Sequence, residues 1–177
     1  RTGKMFAVEH AGVEPDMITV AKGIASGMPL GALVARAELM HWEPGAHAST
    51  FGGNPVSCAA ALATLELLDG GLVTHAVEMG MHLQARLRTV MERRPVIGDV
   101  WGLGLMTAVD FVTERDTRRP DPVVRNAVIE QAFHRGVLLL GCGESAIRFS
   151  PPLIISRAQI DRATEIFETA VDVATGG

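Results

Sequence analysis

The chain has 177 residues with 47% hydrophobic and 20% charged residues, enough to bury a core in one ordinary domain or in parts of two. A net charge of −4 without a basic block argues against nucleic acid as a partner. No apolar run approaches the ~20 residues of a membrane span, and two cysteines without framework spacing, Cys58 and Cys142, suit a reducing cytoplasm.

The first residues, Arg1-Thr2-Gly3-Lys4-Met5-Phe6, carry neither an initiator methionine nor a signal-peptide pattern, so the sequence reads as a fragment. Residues 1–14 read as a loop with one short helical or extended piece. Met17–Ala21 is a short apolar run of the kind that makes a buried strand in an α/β protein. Lys22 follows it and would leave the strand end pointing into an interior. A loop spaced by Gly23, Gly27, Pro29 and Gly31 leads to a second run, Ala32–Ala35. A desolvated lysine is a good amine nucleophile, suited to a Schiff base with a carbonyl. The plain alternative is a strand-end lysine that reaches solvent.

Ala37–His41 reads as a helical turn and Trp42-Glu43-Pro44-Gly45 as a breaker. In His47-Ala48-Ser49-Thr50-Phe51-Gly52-Gly53-Asn54-Pro55, Asn54 is an N-cap with Pro55 at the first helical position. Hydroxyls and glycines just before a helix N-terminus can also present N–H groups and a hydroxyl to a phosphate. The helix runs to Leu68, where Gly70-Gly71 stops it. A second helix spans about Leu72 to Arg93, with Leu83, Leu87 and Val90 or Met91 on one face and Pro95 beyond its end.

Val96–Val100 and Leu103–Phe111 read as strands with a bend at Gly102 and Gly104. Thr113–Arg119 is a charged loop. Asp121-Pro122 opens a helix with Val124, Ala127, Val128 and Ala132 on one stripe and Gly136 as its stop. Val137–Leu140 and Ala146–Phe149 are short strands around Gly141-Cys142-Gly143-Glu144. Ser156-Arg157-Ala158-Gln159 is a capping box for a last helix with Ile160, Ala163, Ile166, Phe167 and Ala170 inward. Strand, strand, helix, strand, strand, helix describes a small α+β domain. Arg148 lies among apolar residues and prolines, so it must find an anion or reach solvent. A carboxylate gripped by two parallel hydrogen bonds is one partner, and a structural salt bridge is the other. The six histidines show no zinc-ligand spacing, so no metal site is expected. The Gly102-Leu103-Gly104 and Gly141-Cys142-Gly143 stretches lack the dinucleotide fingerprint.

In order, T-V-A-K-G-I-A-S-G-M-P-L-G-A, H-A-S-T-F-G-G-N-P and A-I-R-F-S-P-P-L resemble the class III pyridoxal-phosphate aminotransferases, the group of 4-aminobutyrate, acetylornithine and ornithine aminotransferases. R-T-G-K-M-F and D-V-W-G-L-G-L-M fit as well, so the resemblance spans essentially the whole chain. It implies the fold-type-I (aspartate-aminotransferase-like) α/β fold. Residues 1–70 would be the end of the large pyridoxal-phosphate-binding domain, 71–94 an interdomain helix, and 95–177 the small C-terminal α+β domain. Lys22 would form the internal aldimine and shuttle the proton, and Thr50 would bind the phosphate of the partner's cofactor across a homodimer interface. Arg148 would hold a substrate carboxylate. The implied reaction takes the amino group of an ω-amino acid donor to a 2-oxo acid acceptor, 2-oxoglutarate. F-G-G-N-P favours this side of the family over the amine–pyruvate side.

Ala48 and Trp101 depart from the family's usual glycine and arginine, without touching an implied role. The family's aspartate for the pyridine nitrogen, its ring-stacking aromatic and its glycine-rich phosphate loop are expected ahead of Arg1, so the fragment alone is expected to be inactive. Racemase or decarboxylase chemistry on the same scaffold is the alternative among enzymes. A non-catalytic module that dimerises or binds carboxylates through Arg148 is the alternative outside them.

Overall fold

The computed structural model describes residues 1–176. It divides into two compact units, one of Met5–Leu72 and one of Arg1–Lys4 together with the chain from Val73 onward.

In the first unit, a 3₁₀ turn at Ala7–Ala11 precedes strand β1 (Met17–Val20), which pairs antiparallel with β2 (Ala32–Ala35) in the register Met17↔Ala35 to Val20↔Ala32. Both strands alternate between exposed and half-buried residues. The expected buried strands are therefore an open two-stranded ribbon, since among the described residues no third strand joins them. Helix α1 (Pro55–Leu67) starts as its sequence dictates. Asn54 Oδ1 accepts from the Ser57 amide at 2.9 Å, its Nδ2 donates to the Phe51 carbonyl at 3.0 Å, and Pro55 occupies the first turn. Asn54→Ala is expected to cost about 1 kcal/mol, read as a lower urea midpoint of Trp42 fluorescence.

After α1, a π turn at Leu68–Leu72 contains Gly71 at φ 127, which interrupts the helical hydrogen bonds where the glycine pair predicts a stop. The stretch Pro55–Arg93 is long and apolar enough, by length and composition, to cross a membrane, against the expectation that no apolar run approaches a span. The break at Gly71 would leave main-chain groups without partners in lipid.

The second unit is a five-stranded antiparallel sheet with three helices. Helix α2 (Val73–Arg93) leads into β3 (Ile97–Leu103), which makes a hairpin with β4 (Met106–Glu114). A two-residue strand, β5 (Arg119–Pro120), pairs back onto β4 inside what reads in sequence as a plain charged loop. Helix α3 (Pro122–His134) is capped by Asp121, whose Oδ1 accepts from the Val124 amide at 3.0 Å. Next come β6 (Leu140–Cys142), β7 (Ala146–Phe149) and helix α4 (Arg157–Ala174). Strand β6 begins later than the expected Val137, because its ladder with β7 starts only at Leu140↔Arg148. The order across the sheet is β3-β4-β7-β6.

Register decides which residues share a face. Val100, Val109 and Ile147 stand opposite one another and are buried, with Leu83, Leu87, Val128, Ile160 and Phe167 in the same core. One residue along, Trp101, Ala108, Arg148 and Leu140 form a row on the opposite face, and Trp101, Arg148 and Leu140 are exposed. The predicted capping box is present: the Ser156 amide donates to Gln159 Oε1 at 2.9 Å and the Gln159 amide to Ser156 Oγ at 3.3 Å. At the far end of α4, Glu168 and Asp172 pair with Arg93 and Arg94, which follow from α2.

Candidate active site

The sheet ribbon of the first unit ends at Ala21, which is still extended at φ −156. Lys22 then turns the chain with a left-handed φ of 55 and opens the 3₁₀ turn Lys22–Ala25. A residue with a side chain rarely adopts this conformation, and holding it there costs on the order of 1–3 kcal/mol. The turn is clamped from below. Ala25 is fully buried, α1 packs against the turn, and Ser26 Oγ lies 2.9 Å from Thr64 Oγ1 on α1. The α1 residues Ser57, Ala61 and Thr64 recur at helical spacing and supply that supporting face.

Lys22 itself is exposed, against the expectation of a desolvated interior lysine. Among the described residues no further strand or helix layer covers the ribbon at this point. The side chain borders an open hollow formed with Gly23, Ser26, Gly27, Met28 and Leu30. No hydrogen bond or ion pair among the described residues engages its amine. Backbone strain, a rigid support and an uncommitted amine thus coincide at one residue.

Thr50 is exposed in the loop that leads into α1. Ser49 Oγ accepts from the Gly52 amide at 2.9 Å, Gly53 has φ 70, and Asn54 caps the helix. These bonds hold a hydroxyl-bearing loop at a helix N-terminus, where anions are favoured. Ser49, Phe51 and Gly52 share a hollow of about 460 Å³ with Pro29, Leu30 and Leu33. Pro29 and Leu30 also wall the Lys22 hollow, so the lysine loop and the threonine loop are neighbours in this unit.

Arg148 belongs to the other unit. It is exposed on β7 and borders a hollow of about 460 Å³ with Leu138, Leu140, Pro151, Pro152 and Ile155 among its walls. An apolar recess with one guanidinium at its edge is a suitable seat for a small carboxylate. The alternative of a structural salt bridge does not hold, because no acidic side chain pairs with Arg148 among the described residues. Asp110 is diagonal to it across the β4–β7 ladder, but accepts instead from Trp101 Nε1 at 3.1 Å. A tryptophan at the departing position 101 therefore keeps a carboxylate occupied. Among the described residues no group of three His, Cys, Asp or Glu side chains could hold a metal ion.

Reading the sequence misses one residue here. Arg1 donates to the Pro151 carbonyl beside Arg148. No spacing or motif links the two, because 150 residues separate Arg1 from Pro151.

The chain is 42% identical over 170 residues to the acetylornithine aminotransferase of Gloeobacter violaceus, covering 95% of this chain and 40% of that protein. It is also 42% identical over 180 residues to the alanine/serine racemase of Pyrococcus horikoshii, covering 99% and 38%. A solved transaminase from the marine bacterium Virgibacillus superposes with a TM-score of 0.92 at 32% identity, over 99% of this chain and 43% of that one. The chain thus spans about 40% of the length of these relatives. The fold is that of fold-type-I transaminases. Since the profile of the family described as "Aminotransferase class-III" matches residues 1–171, the chain belongs to the class III aminotransferases, which depend on pyridoxal phosphate.

Proposed function

We propose that the chain carries three working groups of an amino-transfer site: Lys22, Thr50 and Arg148. The reaction moves an amino group from an ω-amino acid of the 4-aminobutyrate, ornithine or acetylornithine type to 2-oxoglutarate. The observation that carries this reading is Lys22, held at φ 55 on a buried support with its amine free. Pyridoxal phosphate, when bound, supplies an aldehyde and an electron sink for the bond broken at the substrate Cα.

Lys22 is the amine that holds the cofactor, and its Nζ afterwards takes and returns the Cα proton. Its exposed setting suits an amine that must be reached by both cofactor and substrate. Thr50, with the α1 N-terminus behind it, serves the phosphate. By family resemblance it does so for the partner subunit of a homodimer with active sites at the interface. Arg148 orients the substrate through its carboxylate. Residues 1–70 then act as the end of the large domain, 71–94 as the connecting helix, and 95–177 as the small domain. The reading takes the protein to work in the cytoplasm, without nucleic acid or membrane, and Cys58 and Cys142 as free thiols suit that compartment. It also takes the 177-residue chain alone to be inactive, since the family's aspartate and ring-stacking residue are not among the groups described.

A second reading is supported by the relative named as an alanine/serine racemase. The same lysine could then invert Cα or, in a decarboxylase, serve loss of CO₂. Adding pyridoxal phosphate, reducing with borohydride and mapping peptides tests the shared part, on this chain and on one extended upstream. The expected result is cofactor fixed on Lys22 in the extended protein, with transfer to 2-oxoglutarate. Chiral inversion without a 2-oxo acid would favour the racemase, and cofactor fixed elsewhere would overturn both readings.

A further inference from the structure

The main chain of Arg1 and Thr2 is built into the turn between β3 and β4. The Leu105 amide donates to the Arg1 carbonyl at 2.9 Å. Gly104 sits against Arg1 and Thr2 so closely that a Cβ there would run into both. A Cβ at Gly80 on α2 would overlap Gly104 in the same way, and one at Gly3 would strike the Val77 side chain. Three successive close approaches therefore leave the segment little freedom, and each requires a glycine.

From this base the Arg1 guanidinium reaches the Pro151 carbonyl in the turn that follows Arg148. Desolvation and the positive charge of Arg148 both hold the Arg1 guanidinium below its ordinary pKa. The charges of Arg1 and Arg148 repel, and an anion bound beside both relieves that repulsion. No acidic side chain among the described residues does so. Neither arginine has an acidic partner among the described residues, and Asp110 is engaged by Trp101. Through its bond to the Pro151 carbonyl, Arg1 meets a residue that walls the recess beside Arg148.

We propose that Arg1 is the second cationic arm of the site at Arg148, so that one substrate carboxylate is held between two guanidiniums. This rests on the reading of Arg148 as the carboxylate holder. The electrostatic logic is that of a charge-assisted hydrogen bond in a partly dry recess, stronger than either arginine would give in open water. Arg1 acts at the same time on position, because its bond to Pro151 fixes the turn beside Arg148.

The test is binding of 2-oxoglutarate to the 177-residue chain by calorimetry, with its dimethyl ester as the uncharged control. Arg1→Gln, Arg1→Lys and Arg148→Gln are compared. The expected result is saturable binding of the acid and not the ester, loss of binding in Arg148→Gln, and about tenfold weakening in Arg1→Gln. Arg1→Lys keeps the charge and should stay within about threefold of the original. A tether without an electrostatic role would instead weaken both Arg1 variants equally, in step with a fall in melting temperature, and would overturn the proposal. Affinity unchanged in Arg1→Gln while Arg148→Gln is inactive in binding overturns it and leaves the Arg148 reading standing. Affinity unchanged in Arg148→Gln overturns both, and absence of saturable binding to the unaltered chain overturns the pair as an anion site. Should Arg1→Gln not fold, Arg1→Lys decides: weakening beyond about threefold without loss of stability counts against a role of charge.

Discussion

Lys22→Gly should abolish cofactor fixation and amino transfer while making the Met5–Leu72 unit more stable. The two effects have opposite signs because one residue serves two demands. The chain must turn at position 22 with φ 55, and Lys22 accepts a left-handed conformation that glycine adopts freely. Removing the side chain relieves on the order of 1 kcal/mol of strain. The same change deletes the amine that holds the cofactor and moves the proton, with an expected loss of about 10⁴-fold or more in transfer. Lys22→Arg separates charge from chemistry: it keeps a cation but cannot give up its proton at working pH, and should be equally inactive. The measurements are borohydride fixation on the cofactor-competent, upstream-extended protein, and urea unfolding of this chain followed by Trp42. Retained fixation in Lys22→Gly would mean that another amine holds the cofactor. A destabilised Lys22→Gly would mean that the turn is not held as described.

That combination was only half legible in the sequence. The apolar run before Lys22 and the glycine-spaced loop after it place a lysine at a strand end, because these are local signals. The exposure of Lys22 was not legible, since whether a strand is covered depends on what else packs over it. The same division runs through the chain. The caps at Asn54, Asp121 and Ser156 lie where three or four adjacent residues predict them, and each makes its expected bond. Strand β5 was hidden because two residues of charged loop become a strand only by pairing with β4. The face of Arg148 followed from register alone, which is set by partners in β4 and β6. Arg1 was hidden most completely: a contact between residues 150 apart in sequence has no period, cap or spacing to announce it.

Phe167→Ala should cost the second unit about 3–5 kcal/mol, the usual range for truncating a buried phenylalanine. The ring is fully buried on α4 and meets two others edge-on, Phe149 at 5.2 Å and 86° and Phe111 at 6.2 Å and 71° between centroids. Those partners lie on β7 and β4, so one ring ties a helix to two neighbouring strands of the sheet. A cavity here cannot be refilled by simple sliding, because Phe111 and Ile147 are also fully buried and held by strand pairing. Against a total of about 5–15 kcal/mol for a domain, such a loss is large. Phe149 follows Arg148 on the same strand with its side chain on the opposite face, so the damage extends to function. Loosening Phe149 lets β7 fluctuate and blurs the position of the guanidinium, and 2-oxoglutarate binding should weaken in parallel with stability. Phe167→Leu keeps most of the volume and should cost clearly less on both measures. Urea unfolding followed by Trp101, with amide exchange at Ile147 and Phe149, reads the effect on this unit separately from the other. A loss below about 1 kcal/mol in Phe167→Ala would show that α4 and the sheet are not joined through this ring.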